Sequence, residues 1–402
     1  MRHLPLLLIA ALCLPWSANA QDTPATLEQV LQAQDRDSHG DLRAVVVLRE
    51  GAIVAERYYN GETADTLHDI RSAGKSITAL LVGMAVARGQ LATSKTVGDY
   101  WPEAANSPAG KVVLDDLLTM RSGLAAFDED EHSPGNEDKL DEASDPAAFV
   151  RGVPAATAPG STYRYNSLGS YIAGRVVENA SGADLEDYAA RVLFAPLGIT
   201  RWSWGRDVAK HPKGQGNLSL RARDTAKIGQ MVLDDGVFDG KRVIDAAWLQ
   251  AALAPRVAIG AVDRYADSYG YFWYAKTQDI GGQKIAVHFA SGNGGNKIYV
   301  IPARRMVVSI ASSAYGKGYG QRRSEDILKA ILKADAKEAQ AVVKADAKEA
   351  KAVVAAKTDV ASAKAEAATT KAKAHHKAKK TKAKADEKLA SATAEAAPAA
   401  AK

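Results

Sequence analysis

Apolar residues form strand-like runs near both ends of the central part of the chain. Arg43–Leu48 (RAVVVL) and Ala52–Tyr59 (AIVAERYY) flank Glu50-Gly51, a pair typical of a hairpin turn. Three more such runs lie towards the other end, at Lys284–Phe289, Lys297–Pro302 and Met306–Ala311. We therefore predict an antiparallel sheet to which both ends of the central region contribute.

Helical spacing of apolar residues is the rule between these strands. The predicted helices are Ala73–Arg88, Leu168–Asn179, Ala222–Leu233 and Asp245–Leu253. In the first of them, Ile77, Leu80, Leu81 and Met84 recur at the spacing that places side chains on one helix face. Strands first and last, with helices between them, predict an α+β fold with a helical insertion rather than a series of βαβ units.

The first twenty residues have the pattern of a cleaved signal peptide. Arg2 belongs to a short basic start, Leu6–Leu14 is continuously apolar, and residues 18–20 (ANA) have the small-x-small pattern that a signal peptidase requires. The apolar run is too short to span a bilayer. We therefore predict cleavage after Ala20, a periplasmic or secreted protein, and no transmembrane segment in the mature chain.

Cysteine usage and motif content exclude several classes of chemistry. Cys13 is the only cysteine and lies inside the predicted signal peptide, so the mature chain would have no disulfide and no thiolate nucleophile or metal ligand. The sequence contains no H-E-x-x-H, G-x-S-x-G, Walker or G-x-G-x-x-G motif. We expect neither a metal nor an organic cofactor.

Composition changes sharply at Lys333. Residues 333–402 contain 16 Lys and 9 acidic residues, whereas the preceding part contains 36 basic and 38 acidic residues. Lys333–Val343 (KADAKEAQAVV) recurs almost unchanged at Lys344–Val354 (KADAKEAKAVV). We predict a globular domain over residues 21–332 and a low-complexity tail over residues 333–402 that is helical or disordered. In an exported protein this tail would contact an anionic envelope surface rather than nucleic acid, or serve as an inert solubilising extension.

The tetrapeptide Ser72-Ala73-Gly74-Lys75 at the start of the first predicted helix carries the candidate chemistry. Side chains three residues apart share a helix face, so this serine and lysine can touch. Partial burial would lower the pKa of the lysine, which could then accept the serine proton. We predict that Ser72 is a nucleophile and Lys75 its activating partner. The alternative is a surface serine and lysine on an ordinary amphipathic helix.

Several segments, taken in order, resemble the motifs of β-lactamase-like serine hydrolases. This family includes class C β-lactamases, D-alanyl-D-alanine carboxypeptidases, esterases and aminohexanoate-oligomer hydrolases. The similar segments are Ile70–Ser76 (IRSAGKS), Leu117–Leu124 (LLTMRSGL), Pro159–Ser161 with Tyr165–Ser167 (PGS, YNS), Leu220–Gly229 (LRARDTAKIG) and Ser291–Pro302 (SGNGGNKIYVIP). The resemblance covers roughly residues 44–332. It implies a β-lactamase/transpeptidase-like fold, in which helices flank the antiparallel sheet.

The second motif of this family is usually Tyr-x-Asn, and its tyrosine shares a proton with the lysine. The resemblance places Tyr165 at that tyrosine, with Tyr163 as the alternative, and Ser167 where asparagine is common. Asn166 is shifted by one position. We expect Asn166 and Ser167 to contribute to substrate binding.

The third motif departs further from the family pattern. Family members place Lys-Thr-Gly on a strand, where it binds a substrate carboxylate and shapes the oxyanion hole. The matching stretch here is HFASGNGG over residues 288–295, with no lysine at the expected place. A backbone N–H of Ser291 or Gly292 would be the second oxyanion donor. His288 is a candidate base or, alternatively, a packed structural histidine.

An acidic stretch follows the second similar segment. Residues 128–145 contain nine carboxylates, four of them among the first four residues, Asp128–Glu131. This stretch is either a solvated loop or a rim of the site that favours cationic substrates.

Together these features predict an exported serine hydrolase that cleaves a small-molecule ester or amide through an acyl-enzyme on Ser72. One alternative is a β-lactamase or D,D-peptidase acting on penicillins or peptidoglycan peptides, which the missing lysine disfavours. The other is a catalytically idle envelope-binding protein acting through its basic tail, which the intact S-x-x-K pattern disfavours.

Overall fold

The computed structural model describes residues 26–395. The chain divides between Asp335 and Ala336 into two compact units. The predicted signal peptide, with its cleavage site after Ala20, lies outside the described residues. Within residues 26–395, no helix is both long enough and apolar enough to cross a membrane.

The described part of the chain contains thirteen β-strands. They are β1 (Leu42–Arg49), β2 (Ala52–Tyr58), β3 (His68–Asp69), β4 (Ser203–Trp204), β5 (Leu218–Leu220), β6 (Val237–Phe238), β7 (Lys241–Arg242), β8 (Val257–Ala258), β9 (Ser268–Tyr269), β10 (Tyr274–Ile280), β11 (Gln283–Gly292), β12 (Asn296–Ile301) and β13 (Met306–Ser312). Eight of them form one antiparallel sheet in the order β2-β1-β13-β12-β11-β10-β9-β8. Strands from both ends of the central region therefore share one sheet, as predicted.

Helices fill the interval between the two sets of strands and flank the sheet. They are α1 (Leu27–Ala33), α2 (Gly74–Ala87), α3 (Val97–Tyr100), α4 (Leu114–Leu118), α5 (Glu137–Glu142), α6 (Pro146–Gly152), α7 (Ser167–Ser181), α8 (Leu185–Ala189), α9 (Ala222–Leu233), α10 (Ala246–Leu253) and α11 (Gly318–Glu395). The α+β prediction is confirmed, and each of the four predicted helices is present, with each end within two residues of the prediction.

Helix α2 lies in the interior of the first unit. Every residue from Gly74 to Ala85 is buried, which explains why the helix is apolar almost all round. It packs against α7 and against α10, which supplies Trp248. A Cβ atom at Gly83 would lie 2.2 Å from the Trp248 indole. Only glycine therefore fits at this contact.

One end of β11 lies against the segment that precedes α2. Strand β10 pairs with β11 from Gln283 only as far as Phe289, so within the described residues β11 extends beyond its neighbour over residues 290–292. On its other side β11 pairs with β12 up to Gly292. A Cβ atom at Gly292 would lie 2.0 Å from the carbonyl oxygen of Ile70, so the two backbones touch. This contact holds the end of β11 close to Ser72.

The boundary of the first unit lies at Asp335 rather than at the predicted Leu332. Ala334 and Asp335 are still buried. The Asp335 carboxylate lies 2.5 Å from Arg49 Nη2 and 3.7 Å from Arg304 Nε, which ties it to the sheet unit. The composition changes at Lys333, but α11 still packs against the rest of the first unit as far as Asp335. The change in composition therefore comes slightly before the end of the packed region.

The second unit is helical as far as Glu395, and its residues from Lys337 to Ser391 are exposed. The repeated valines are exposed as well, at 55% and 67% for Val342 and Val343 and at 46% and 63% for Val353 and Val354. The four valines of the repeat therefore lie on a helix face that packs against no other described residues.

Replacement of Gly83 by alanine tests the close contact with Trp248. The added methyl group would overlap the indole, so we expect a loss of about 1–3 kcal/mol in the free energy of unfolding, measured by urea denaturation. Gly152→Ala is the matched control, because Gly152 is also helical but a Cβ there meets no atom within 4 Å. Equal effects of the two substitutions would show that Gly83 is not required by packing.

Candidate active site

Ser72 lies in a tight turn directly before α2. Residues 71–73 form a 3-10 turn, and Arg71 has a φ of +52°, a conformation that is unfavourable for a residue with a side chain. Asp69 holds this turn, because its Oδ1 accepts the Arg71 N–H at 2.8 Å. The Arg71 guanidinium stacks 4.2 Å from the ring centroid of Tyr315, whose hydroxyl donates to the Asp69 carbonyl at 3.0 Å. The position of Ser72 is thus set by a strained backbone turn that Asp69 and Tyr315 hold in place.

The amine of Lys75 is buried and fully matched by oxygen atoms. Its side chain is 1% exposed. Nζ donates to Ser72 Oγ at 2.9 Å, to Ser167 Oγ at 2.9 Å and to the Gln215 carbonyl at 3.0 Å. An ammonium group has three N–H donors, and each of them has one acceptor here, so the geometry corresponds to the charged form of Lys75. The predicted contact between Ser72 and Lys75 is therefore present.

The pKa of Lys75 is raised, whereas the sequence led us to expect a lowered pKa. Burial does act to lower the pKa of Lys75, but interactions with Tyr165, Glu137 and Asp128 outweigh burial and raise it. The geometry agrees with this direction, because three acceptors surround the amine. Lys75 is therefore protonated when the site is empty.

Tyr165 is the tyrosine that lies beside the pair. Its ring centroid lies 5.2 Å from Lys75 Nζ, and Tyr165 lines the same cavity as Ser72. Burial raises the pKa of Tyr165, although the Lys75 charge and the Ser72 hydroxyl act to lower it. The resting state is therefore a neutral phenol beside an ammonium group.

Tyr163, the alternative tyrosine, points elsewhere. Its ring packs edge-on against Tyr269 at 5.4 Å between centroids. Burial raises the pKa of Tyr163 well above its usual value. Tyr163 thus lies near Ser72 without joining the pair with Lys75.

A cavity of about 770 Å³ opens beside Ser72. One wall is acidic and consists of Asp128, Glu129, Asp130 and Glu137. The lining also contains Arg164, Asp263, aromatic rings and the end of the β11–β12 hairpin, the last two groups being Tyr163, Tyr165, Tyr274, Phe289, Ser291, Gly292 and Lys297. Part of the acidic stretch therefore borders the cavity, as one of its two interpretations anticipated.

The carboxylate of Asp128 is buried in the cavity lining. Solvent does not reach either carboxylate oxygen, and neither accepts a well-formed hydrogen bond from the described residues. Burial raises the pKa of Asp128 to about 6, while the Lys75 charge opposes the shift and Glu137 adds to it. Asp128 therefore ionises near neutrality and interacts with Lys75 through charge rather than through direct contact.

The third-motif segment borders the cavity as expected. Ser291 and Gly292 line it, and the carbonyl of Gly292 accepts a hydrogen bond from Gln321 Nε2 at 2.8 Å. Ser291 pairs across the hairpin with Lys297, whose Nζ donates to Ser291 Oγ at 2.9 Å. A lysine thus reaches this part of the site from β12 rather than from the motif itself.

Two candidate residues have positions that do not suit the expected roles. Asn166 caps α7: its Oδ1 accepts the Gly169 N–H at 2.7 Å, its Nδ2 donates to the Arg164 carbonyl at 2.8 Å, and it does not line the cavity. His288 also lies outside the cavity lining. Burial lowers the pKa of His288, and its Nδ1 is shielded without a hydrogen-bond partner among residues 26–395. The structure therefore assigns neither residue to substrate binding or base chemistry.

Ser167, by contrast, contacts the reacting group. It is the first residue of α7, it is fully buried, and its hydroxyl accepts from Lys75. Its position at the usual asparagine of the second motif explains this contact. Ser167 supports the lysine rather than the substrate.

Sequence reasoning missed Lys297 and the buried state of Asp128. A signal for Lys297 existed, because a hairpin that turns at residues 293–295 places Ser291 directly opposite residue 297. A lysine within the apolar run NKIYVI was therefore a candidate for a site contact. Burial of one aspartate within an acidic loop had no comparable signal. No group of three or more His, Cys, Asp or Glu side chains in the described part of the chain is arranged to hold a metal ion.

Comparison with known proteins agrees with this architecture. The family model described as Beta-lactamase matches residues 27–332. The 6-aminohexanoate-dimer hydrolase of Paenarthrobacter ureafaciens is 28% identical over 223 residues, which cover 52% of this chain and 57% of that protein. Penicillin-binding protein 4 of Amycolatopsis lactamdurans is 28% identical over 311 residues, which cover 68% of this chain and 78% of that protein. The chain thus spans less than two thirds of the dimer hydrolase.

A solved family VIII carboxylesterase has the same fold, with a TM-score of 0.60 at 18% identity over 76% of this chain and 96% of that structure. The fold is the β-lactamase/transpeptidase-like fold, in which helices flank a large antiparallel sheet. The chain belongs to the beta-lactamase family, which consists of serine hydrolases and related proteins.

Replacement of Asp128 by asparagine tests the burial of this carboxylate. In the unfolded chain the carboxyl ionises near pH 4, and in the folded protein near pH 6, so ionisation reduces stability progressively between these values. Below about pH 4 the reduction is absent, and above about pH 6 it is complete. We expect Asp128→Asn to raise the free energy of unfolding by about 2–3 kcal/mol at pH 8, measured by urea denaturation, with little change at pH 4.

Glu129→Gln is the control, because Glu129 is exposed in the same loop. A gain from Asp128→Asn that is the same at both pH values would contradict the burial of an ionisable Asp128.

Proposed function

We propose that this chain is an exported serine hydrolase that cleaves an ester or an amide through an acyl-enzyme on Ser72. The main supporting observation is that the Lys75 ammonium donates to Ser72 Oγ while the ring centroid of Tyr165 lies 5.2 Å from the same ammonium. The name of the 6-aminohexanoate-dimer hydrolase indicates that a relative with this family pattern cleaves an amide-linked dimer. Export rests on the sequence pattern of residues 1–20 alone.

The first step is attack of Ser72 Oγ on the substrate carbonyl. A bond forms between Oγ and the carbonyl carbon, and the hydroxyl proton passes to the pair of Tyr165 and Lys75. At rest Lys75 is an ammonium and Tyr165 a neutral phenol. One of these two groups therefore has to release a proton to water before the pair can accept the proton of Ser72. The tetrahedral intermediate then expels the alcohol or amine, which takes a proton from the same pair.

The negative oxygen of the intermediate needs two N–H donors. The N–H of Ser72 lies at the start of α2, where unpaired N–H groups and the helix dipole favour negative charge. A second N–H would come from Ser291 or Gly292, which line the cavity and are held near Ser72 by the contact between Gly292 and Ile70.

Hydrolysis of the acyl-enzyme completes the cycle. A water molecule attacks the ester carbonyl, gives one proton to Tyr165 and Lys75, and the bond between the carbonyl carbon and Ser72 Oγ breaks. Ser72 Oγ recovers a proton from the pair as the carboxylic acid leaves. The same groups thus act in both halves of the reaction.

Two other functions predict different behaviour. A β-lactamase or D,D-peptidase would hydrolyse a chromogenic cephalosporin or form a stable acyl-enzyme with penicillin, and the match to penicillin-binding protein 4 favours testing both. An idle envelope-binding protein would show no turnover dependent on Ser72 and would act through the exposed, lysine-rich helix after Asp335. The fully matched Lys75 supports the catalytic reading over the idle one.

Replacement of Ser72 by alanine tests the nucleophile directly. With p-nitrophenyl butyrate as substrate and residues 21–402 as enzyme, we expect kcat/KM to fall by at least about a thousandfold, because no acyl-enzyme can form. Release of p-nitrophenol is the measurement, and the folded state of the variant is checked by circular dichroism. Turnover that does not depend on Ser72 would refute the proposed nucleophile.

Tyr165→Phe and Tyr163→Phe form a matched pair, since each removes one buried phenol hydroxyl from the same wall of the cavity. We expect Tyr165→Phe to lower kcat by about 10²–10⁴-fold, because a proton-transferring hydroxyl is lost. Tyr163→Phe should change kcat by less than about tenfold. The reverse order in kcat measurements would transfer the proposed role to Tyr163.

A further inference from the structure

Lys297 is a buried lysine that forms no ion pair with the described part of the chain. It lies in β12 and is 2% exposed, yet it lines the cavity that contains Ser72. Ser291 Oγ, at 2.9 Å, is its hydrogen-bond acceptor within the described residues. No carboxylate of residues 26–395 approaches Lys297 Nζ within the 4 Å of an ion pair. The proposed catalytic steps do not use this amine.

Aromatic rings surround the Lys297 amine. Its Nζ lies 4.7 Å from the ring centroid of Phe289, 5.8 Å from that of Tyr299 and 6.0 Å from that of Tyr265. The nearby carboxylate of Glu325 is already engaged, because it pairs with Lys276 and accepts the Tyr299 hydroxyl at 2.7 Å. The rings reduce the cost of the buried charge but do not replace an anion.

Lys297 is nevertheless charged at neutral pH. Burial lowers its pKa to about 8, with Glu325 and Asp263 acting against the shift and Lys276 adding to it. An ammonium group has three donors, and Ser291 uses one of them. The structure therefore holds a desolvated cation with free donors at the wall of the reaction cavity, and an anion supplied by a ligand would satisfy it.

We propose that Lys297 binds a carboxylate of the substrate and thereby selects esters or amides that carry an anionic group. This inference rests on the proposed function, because it assigns the substrate class of the same cavity. Lys297 reaches the third-motif segment from the neighbouring strand, where it replaces the cation that residues 288–295 lack.

The charges of the cavity lining favour one position for the carboxylate of such a substrate. Asp128, Glu129, Asp130 and Glu137, here called the acidic wall, repel a carboxylate, and so does Asp263. Lys297 attracts it towards the end of the β11–β12 hairpin. Since Ser291 bonds Lys297 and also lines the cavity, the bound carboxylate lies beside the segment proposed to hold the oxyanion.

Paired esters that differ only in charge test this inference. The substrates are mono-p-nitrophenyl esters of adipic, pimelic and suberic acid, and the same compounds with the free acid converted to its methyl ester. These chains are too long for the free carboxylate to attack its own ester readily. The measured quantity is the ratio of kcat/KM for the acid to kcat/KM for the methyl ester.

We expect this ratio to exceed about ten in the unmodified protein for at least one chain length, as a charge-assisted hydrogen bond provides. Lys297→Met should bring the ratio to one or below, since the acidic wall then acts alone, and Lys297→Arg should keep part of the preference. Lys284→Met is the control, because Lys284 is exposed near the other end of β11 and pairs across the strands with Asp279. It should leave the ratio unchanged.

Two outcomes overturn the inference. One is a ratio of one or less in the unmodified protein at every chain length. The other is an equal loss of both esters in Lys297→Met, which would show that Lys297 only supports the fold around Ser291. If Lys297→Met does not fold, Lys297→Gln provides the same comparison.

Binding separates this inference from the proposed function. If neither ester is turned over, the hydrolase proposal fails for these esters, and titration calorimetry with monomethyl adipate and dimethyl adipate on the Ser72→Ala protein decides the role of Lys297. Tighter binding of the monoacid that is lost in Ser72→Ala/Lys297→Met supports the carboxylate site. Equal binding of both compounds, or no binding of either, contradicts it.

Discussion

The buried ammonium of Lys75 is the constraint around which the site is arranged. A charged amine removed from water has to be matched by acceptors, because each unmatched donor would cost several kcal/mol. The three acceptors come from three separate segments: the turn of Ser72, the start of α7 at Ser167, and the loop that carries Gln215. The position of one lysine therefore depends on the helical insertion as well as on the helix in which it lies.

Close backbone contacts make this convergence attainable. A Cβ atom at Gly74 would lie 3.2 Å from Gly216 Cα, so the loop carrying Gln215 packs directly on the first turn of α2. Thr78 Oγ1 donates to the Gly214 carbonyl at 2.7 Å and secures the same loop one turn later. On the opposite side, Gly292 lets β11 approach Ile70. The turn that holds Ser72 is thus fixed between a loop and a strand.

Local patterns in the sequence predicted the parts of the structure that depend on local geometry. The three-residue spacing of Ser72 and Lys75 was enough to predict their contact, and apolar runs beside turn residues were enough to predict the strands at both ends. The resemblance to a known family added the tyrosine, and the structure places Tyr165 rather than Tyr163 beside Lys75. These predictions succeed because spacing along a helix or a strand determines which side chains meet.

Properties that depend on distant packing could not be predicted in this way. The pKa of Lys75 was expected to fall because burial was foreseen, whereas the neighbouring carboxylates Asp128 and Glu137 were not. His288 and Asn166 were assigned by their positions in a motif. In the structure His288 lies outside the cavity lining, and the Asn166 side chain caps α7. Charge and accessibility depend on the whole surroundings of a side chain.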